Sequence, residues 1–398
     1  MILQSWSVAK TIAKGKLSIM QRLEQLTGWR FVASFSVVVC HAWLAMFPGG
    51  GGPMQRALGG LGNFVDFFFI LSGFVLSYTY RDRLQSGVTT YRSFLTARVA
   101  RIYPGVIFSL LVAFPAYLFL NRPLLTSWAE TRGLIFHGLA SVLLIKTWLP
   151  FVDWRTFAVS WNGPLWSIET EFFFYLMFPF LSGAIARGSK RARLLLAPTV
   201  LLLLCGIAFS SDLISTVHSG ARSVGLFQLL QSSPYVRCLS FILGIGLYEI
   251  TLCLPESAKM GLSKFSIPLL GCSIGAYFFV NSNLSQFAAS YGLPSLIFSL
   301  WILLAAYECR PTAFLGSKYF VYLGELSFSI YLLHIPLMRL FTIAAKGASN
   351  HYGNAILLQR ISVLLSVVVT LLLAAWTYKT VEQPFRMRIR QLAERNAH

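Results

Sequence analysis

Residues 30–48 read RFVASFSVVVCHAWLAMFP. An α-helix rises 1.5 Å per residue, so about 20 apolar residues cross the ~30 Å hydrocarbon core of a bilayer. This run has that length and carries one imidazole in its interior. Comparable runs recur at 59–80, 102–120, 161–183, 194–210, 234–252, 265–281, 288–307, 319–343 and 359–380. Of the 398 residues, 56% are hydrophobic and 12% charged, where a soluble domain carries about 25% charge. Mean hydropathy is +0.65. These values exclude soluble, disordered, collagenous and coiled-coil chains. The recurrence of runs along the whole length excludes a single anchor. The fold class expected is an all-α, polytopic membrane bundle of about ten transmembrane helices.

The net charge of +19 does not point to nucleic acid, because the basic residues flank apolar runs. They group in the N-terminal tail, at Arg81 to Arg101, at Arg187 to Arg193, at Lys259 and Lys264, at Arg310 and Lys318, and at Arg386 to Arg390. Placing every group on the cytoplasmic side puts both termini inside. It also requires an even number of crossings between Arg101 and Arg187, so the apolar stretch 134–151 is expected to be interfacial or re-entrant. Residues 1–29 read as a cytoplasmic, partly amphipathic tail and not as a cleaved signal peptide. Residues 384–398 read as a basic cytoplasmic tail. The six scattered cysteines suggest neither a disulfide framework nor a metal site.

Charged groups inside spans are costly and are functional candidates by default. Arg30 and His41 are eleven residues apart, three helical turns, and share one face roughly 16 Å apart along the axis. Asp66, in FVDFFF, sits at a depth similar to His41 and is expected to pair with it as the orienter of a His–Asp dyad. Ser72 and Gly73 permit close helix packing. Arg98 and Arg101, three apart, suit an anion cradle. Glu169 and Glu171 point to different faces of their helix, so at least one faces the interior. Trp161 and Trp166 suit either an interfacial belt or sugar stacking. Glu325, Ser327, Ser329, Tyr331 and His334 line one further span, which Pro336 is expected to kink or end. Glu382 to Arg386 is expected to end the last helix. A cationic mouth leading to an imidazole and carboxylates suits acyl transfer, with a His that removes an alcohol proton or carries the acyl group.

Six motifs in order carry a family resemblance: R-x10-H (Arg30, His41), G-x-x-x-D-x-F-F-x-x-S-G-F (Gly62 to Phe74), R-x-x-R-I-x-P (Arg98 to Pro104), L-W-S-I-x-x-E-x-x-F-Y (Leu165 to Tyr175), S-x-S-I-Y-L-L-H-I-P-L (Ser327 to Leu337) and E-x-P-F-R. Over roughly residues 25–390 the chain resembles the acyltransferase-3 family of integral membrane acyltransferases. The resemblance implies an acyltransferase transmembrane domain over 30–383, ten helices, and a multi-pass place in a bacterial plasma membrane. It implies an acyl-CoA donor, usually acetyl-CoA, and no permanently bound cofactor or metal. The implied acceptor is a hydroxyl of a surface or exported carbohydrate, or of its lipid-linked precursor. His41, Asp66 and Glu171 would be catalytic. Arg30, Ser72, Arg98 and Arg101 would serve the donor. Trp166, Tyr331 and His334 would form the acceptor side and central site. The rival reading is a transporter or flippase for a glycan or lipid. That class should show internal two-fold similarity or paired broken helices, and the sequence displays neither.

Overall fold

The structure is a computed structural model that describes residues 2–121, 128–148, 161–217, 230–285 and 289–395. Among the described residues it is helical, with no strand. The helices are α1 (Ile2–Met46), α2 (Pro53–Gly59), α3 (Phe64–Gln85), α4 (Tyr91–Asn121), α5 (Trp128–Val142), α6 (Leu165–Arg187), α7 (Lys190–Val217), α8 (Pro234–Cys253), α9 (Glu256–Lys264), α10 (Ser266–Asn283), α11 (Leu293–Ala306), α12 (Lys318–Tyr352), α13 (Ala355–Thr377) and α14 (Gln383–Arg395). Among the described residues, eight helices are long and apolar enough to cross a membrane, or ten if two bent pairs each count as one span. The pairs are α9 with α10, bent by 65°, and α11 with the 3-10 turn Arg310–Gly316, bent by 75°. Each expected apolar run falls on one of these elements. Residues 149–151 of the stretch 134–151, and residue 288, lie outside the described residues. The rest of 134–151 falls on α5, which at 15 residues is shorter than a span, and on a 3-10 turn at Lys146–Trp148.

Of the two outcomes expected at Pro336, a helix end is not what forms. Pro336 lies inside α12, which continues to Tyr352. Proline removes the bond to the carbonyl four residues back, here that of Leu332. Asn162 Nδ2 donates to that carbonyl at 3.0 Å and to Ser109 Oγ at 3.1 Å, so the helix continues with its orphan acceptor satisfied. Glu382 does not end the last helix. The chain passes through a π-helical turn at Tyr378–Glu382 into α14, and Glu382 is buried, accepting a hydrogen bond from Ser329.

The centre of the bundle is aromatic. Trp29 of α1 stacks on Trp301 of α11 with centroids 5.1 Å apart, and Phe64, Phe67, Tyr277 and Phe298 surround the pair. Helices α3 and α8 cross at backbone contact. A Cβ on Gly73 would fall 2.1 Å from the Phe241 carbonyl oxygen, and one on Gly244 would fall 1.9 Å from that of Ile70. Only glycine allows this approach.

The expected His41–Asp66 pair is not formed. Asp66 is 2% exposed and takes hydrogen bonds from Arg237 Nη1 at 3.1 Å, Ser240 Oγ at 2.5 Å and Ser295 Oγ at 2.7 Å. Two hydroxyls and a guanidinium therefore satisfy it between α3, α8 and α11. Similar depth along a helix does not fix direction around it, and Asp66 faces away from the imidazole. A second buried carboxylate, Glu249, is held by Arg81 at 2.7 Å and Arg193 at 3.1 Å. Both ion pairs join helices.

Asp66→Asn leaves Arg237 buried without its counter-ion, a loss of about 3–5 kcal/mol. The expected result is a lower melting temperature of the detergent-solubilised protein, partly restored when Arg237→Met is added. An Asp66→Asn protein that melts like wild type but has lost activity would return this carboxylate to the reaction.

Candidate active site

Helix α1 places Arg30 and His41 on one face by periodicity, and α12 does the same for Ser327, Tyr331 and His334 at spacings of four and three. Helices α3, α4 and α6 close the space beside them. Three adjoining cavities result.

The first is lined by Arg30, Ser72, Arg98, Arg101, Glu171 and Tyr331, with Ser167, Tyr175 and Ser327 among its other walls. Six of the expected site residues therefore share one space. Glu171 accepts hydrogen bonds from Tyr175 Oη at 2.5 Å and Ser72 Oγ at 3.3 Å. Ser72 is thus a ligand of Glu171 and not a packing residue, while its neighbour Gly73 makes the helix contact. Arg98 is buried, bonded to Tyr80 Oη at 2.7 Å, with its guanidinium 4.9 Å from the centre of that ring. Arg30 and Arg101 have no hydrogen-bond or ion-pair partner among the described residues. Two guanidiniums facing a cavity in this way form a ready anion site.

The second cavity shares Arg30, Arg101 and Phe328 with the first and adds Glu325, Glu382 and Arg386. Its carboxylates are already engaged, Glu325 by Tyr378 Oη at 3.0 Å and Glu382 by Ser329.

The third, about 740 Å³, shares Val65 and Tyr331 with the first. His41 and Trp166 face it, together with Asn63, Gln231, Asn281 and Arg339. Amides, an arginine and an indole beside glycine-rich walls offer hydrogen bonds and a stacking face to a polar ligand. Tyr331 stands at the partition, its hydroxyl 2.7 Å from Ser167 Oγ. His334 is fully buried behind His41, with His334 Nε2 3.3 Å from His41 Nδ1. His41 Nδ1 is also 2.9 Å from the Val37 carbonyl oxygen. His41 Nε2 has no hydrogen-bond partner among the described residues.

Nine of the ten expected site residues thus lie on or directly behind this run of cavities, and Asp66 does not. Glu169 turns away from it, accepting from the Thr147 backbone N–H at 2.9 Å and fixing the 3-10 turn at Lys146–Trp148. Sequence reasoning missed Tyr175, one turn after Glu171, and Arg237, although an arginine inside the run 234–252 signals a buried acidic partner. It also missed the inward turn of Glu382.

The family model described as an acyltransferase domain matches residues 23–379. Acyltransferase MdmB of Streptomyces mycarofaciens is 30% identical over 80% of this chain and 79% of its own length. The putative peptidoglycan O-acetyltransferase YrhL of Bacillus subtilis (strain 168) is 24% identical over 81% of this chain, and O-acetyltransferase OatA of Staphylococcus aureus (strain NCTC 8325 / PS 47) is 23% identical over 92%. The chain spans 50% and 57%, respectively, of the length of these last two. No solved structure matches the chain. With apolar helices in number, a polar run of cavities through them and a family match over most of its length, the chain belongs to the acyltransferase-3 family and is a multi-pass membrane acyltransferase.

Proposed function

We propose that the chain transfers an acetyl group from acetyl-CoA to a hydroxyl of a surface or exported carbohydrate, or of its lipid-linked precursor. The observation that carries this reading is the run of cavities, with unpaired Arg30 and Arg101 towards one end and His41 at the other. The names of two relatives, a putative peptidoglycan O-acetyltransferase and an O-acetyltransferase, support O-acetyl transfer.

In this reading residues 30–383 are the catalytic membrane domain, with the tails 1–29 and 384–398 on the cytoplasmic side beside the Arg30 mouth. The phosphates of acetyl-CoA meet Arg30 and Arg101, with Arg98 behind them. Glu171 and Ser72 form the polar wall against which the donor lies. Trp166 and Tyr331 border the acceptor. His41 Nε2 takes the proton of the acceptor hydroxyl as its oxygen attacks the thioester carbon. The new C–O bond forms, the C–S bond breaks, and the CoA sulfur leaves with the proton returned by the imidazolium. Asp66 has no part in this step.

Purified protein in vesicles, given labelled acetyl-CoA and soluble peptidoglycan fragments, is expected to label the fragments. His41→Ala is expected to lower the rate by at least about 100-fold, the scale of a lost general base, with unchanged yield in the membrane. A fully active His41→Ala protein would contradict the role given to this imidazole.

Arg30→Gln removes a phosphate partner that acts on binding. The expected result is a KM for acetyl-CoA raised about tenfold with a smaller change in kcat. An unchanged KM would remove Arg30 from the donor site.

A further inference from the structure

Two backbone carbonyls decide where the protons sit on the paired imidazoles. His41 Nδ1 lies 2.9 Å from the Val37 oxygen, and His334 Nδ1 lies 2.5 Å from the Tyr331 oxygen. A carbonyl oxygen only accepts. Each ring therefore carries its N–H at Nδ1, and each neutral ring keeps a lone pair at Nε2. The lone pair of His334 Nε2 then faces the Nδ1–H of His41 at 3.3 Å, the two rings tilted by 48° with centroids 5.1 Å apart. The opposite assignment, with His334 Nε2–H donating to His41 Nδ1, would set two lone pairs against two carbonyl oxygens.

We infer that His334 is the positioning residue of the reaction: a neutral imidazole whose Nε2 shares the His41 Nδ1–H with the Val37 carbonyl oxygen and so helps to hold the His41 Nε2 lone pair towards the third cavity. The inference rests on the reading of His41 as the base and assigns to His334 the part that a carboxylate plays in a His–Asp pair. The burial of His334 explains the choice of group. It is 0% exposed, and a carboxylate there would add an uncompensated charge to the interior of the bundle. A neutral ring reinforces the tautomer that the Val37 carbonyl sets, without that cost. It also leaves a lone pair to stabilise the imidazolium that His41 becomes when it takes the acceptor proton. His334 is itself held at both ends. Its Nδ1–H is bonded one turn back to Tyr331, and Asn162 satisfies the carbonyl that Pro336 leaves open in the same turn. The positions of Arg30 and His41 on α1, and of Ser327, Tyr331 and His334 on α12, make this contact a product of two helix faces meeting.

The test combines a spectroscopic and a kinetic readout on the full chain. In protein labelled with 15N-histidine and reconstituted in nanodiscs, the two signals lost in His41→Ala and His334→Gln are expected to show a protonated Nδ1 and an unprotonated Nε2. A His41 signal with its proton on Nε2 overturns the inference without any variant being active. For acetyl transfer from acetyl-CoA, His334→Phe fills the ring's space but accepts no hydrogen bond, and is expected to lower kcat by at least about tenfold with the KM for acetyl-CoA unchanged. His334→Gln offers an amide oxygen to His41 Nδ1–H and is expected to recover most of that loss. Wild-type kcat in His334→Phe, or equal losses in the Phe and Gln variants, overturns the positioning role. If His41→Ala is inactive while His334→Phe is fully active, His41 stands as the base and His334 alone falls. If His41→Ala is active, the underlying reading falls.

Discussion

A charged or strongly polar side chain inside a helical bundle bathed in lipid must meet a partner or face water, because an unsatisfied charge there costs several kcal/mol. That constraint sorts the interior of this protein into two sets. Asp66 with Arg237, and Glu249 with Arg81 and Arg193, are closed ion pairs between helices. They tie α3, α7 and α8 together, with Ser295 of α11 hydrogen-bonded to Asp66, and face no substrate. Arg30, Arg101 and His41 form no ion pair among the described residues, and all three border cavities. The groups free to act are those the bundle does not use to hold itself together.

Helical periodicity then does the arranging. Eleven residues bring Arg30 and His41 to one face of α1 at two different depths, and seven bring Ser327 and His334 to one face of α12. Packed against each other, the two helices lay out a line from guanidinium to imidazole with Tyr331 at the partition. The spacing within each sequence motif is thus the spacing of a path along a helix. Small departures from ideal helix protect that line. Asn162 repairs the bond that Pro336 removes, and the π-helical turn at Tyr378–Glu382 swings a carboxylate inward beside Ser329.

Much of this was legible in the sequence. Apolar length gives the spans, since a run such as 359–380 has no other stable environment, while 134–151 falls on a helix of only 15 residues and a 3-10 turn. Residues sharing a face of one helix, such as Arg30 with His41, were also readable, because periodicity is a property of a single element. Partners on different helices were not. Similar depth and complementary chemistry suggest a pair of Asp66 with His41, but depth says nothing about direction around the axis or about which helix is the neighbour. The arginine that does meet Asp66 lies 171 positions away in sequence. Glu382 reads as a helix end for a similar reason: its motif is polar, and only the packing of α12 shows that Ser329 receives it.

The most direct measurement is an experimental structure of the protein in nanodiscs with a non-hydrolysable acetyl-CoA analogue. The expected density puts the phosphates at Arg30 and Arg101 and the carbon that stands for the thioester carbonyl within contact of His41 Nε2, beside Tyr331. An analogue bound outside these cavities, or an imidazole of His41 turned away from it, would contradict a reaction centred on that ring.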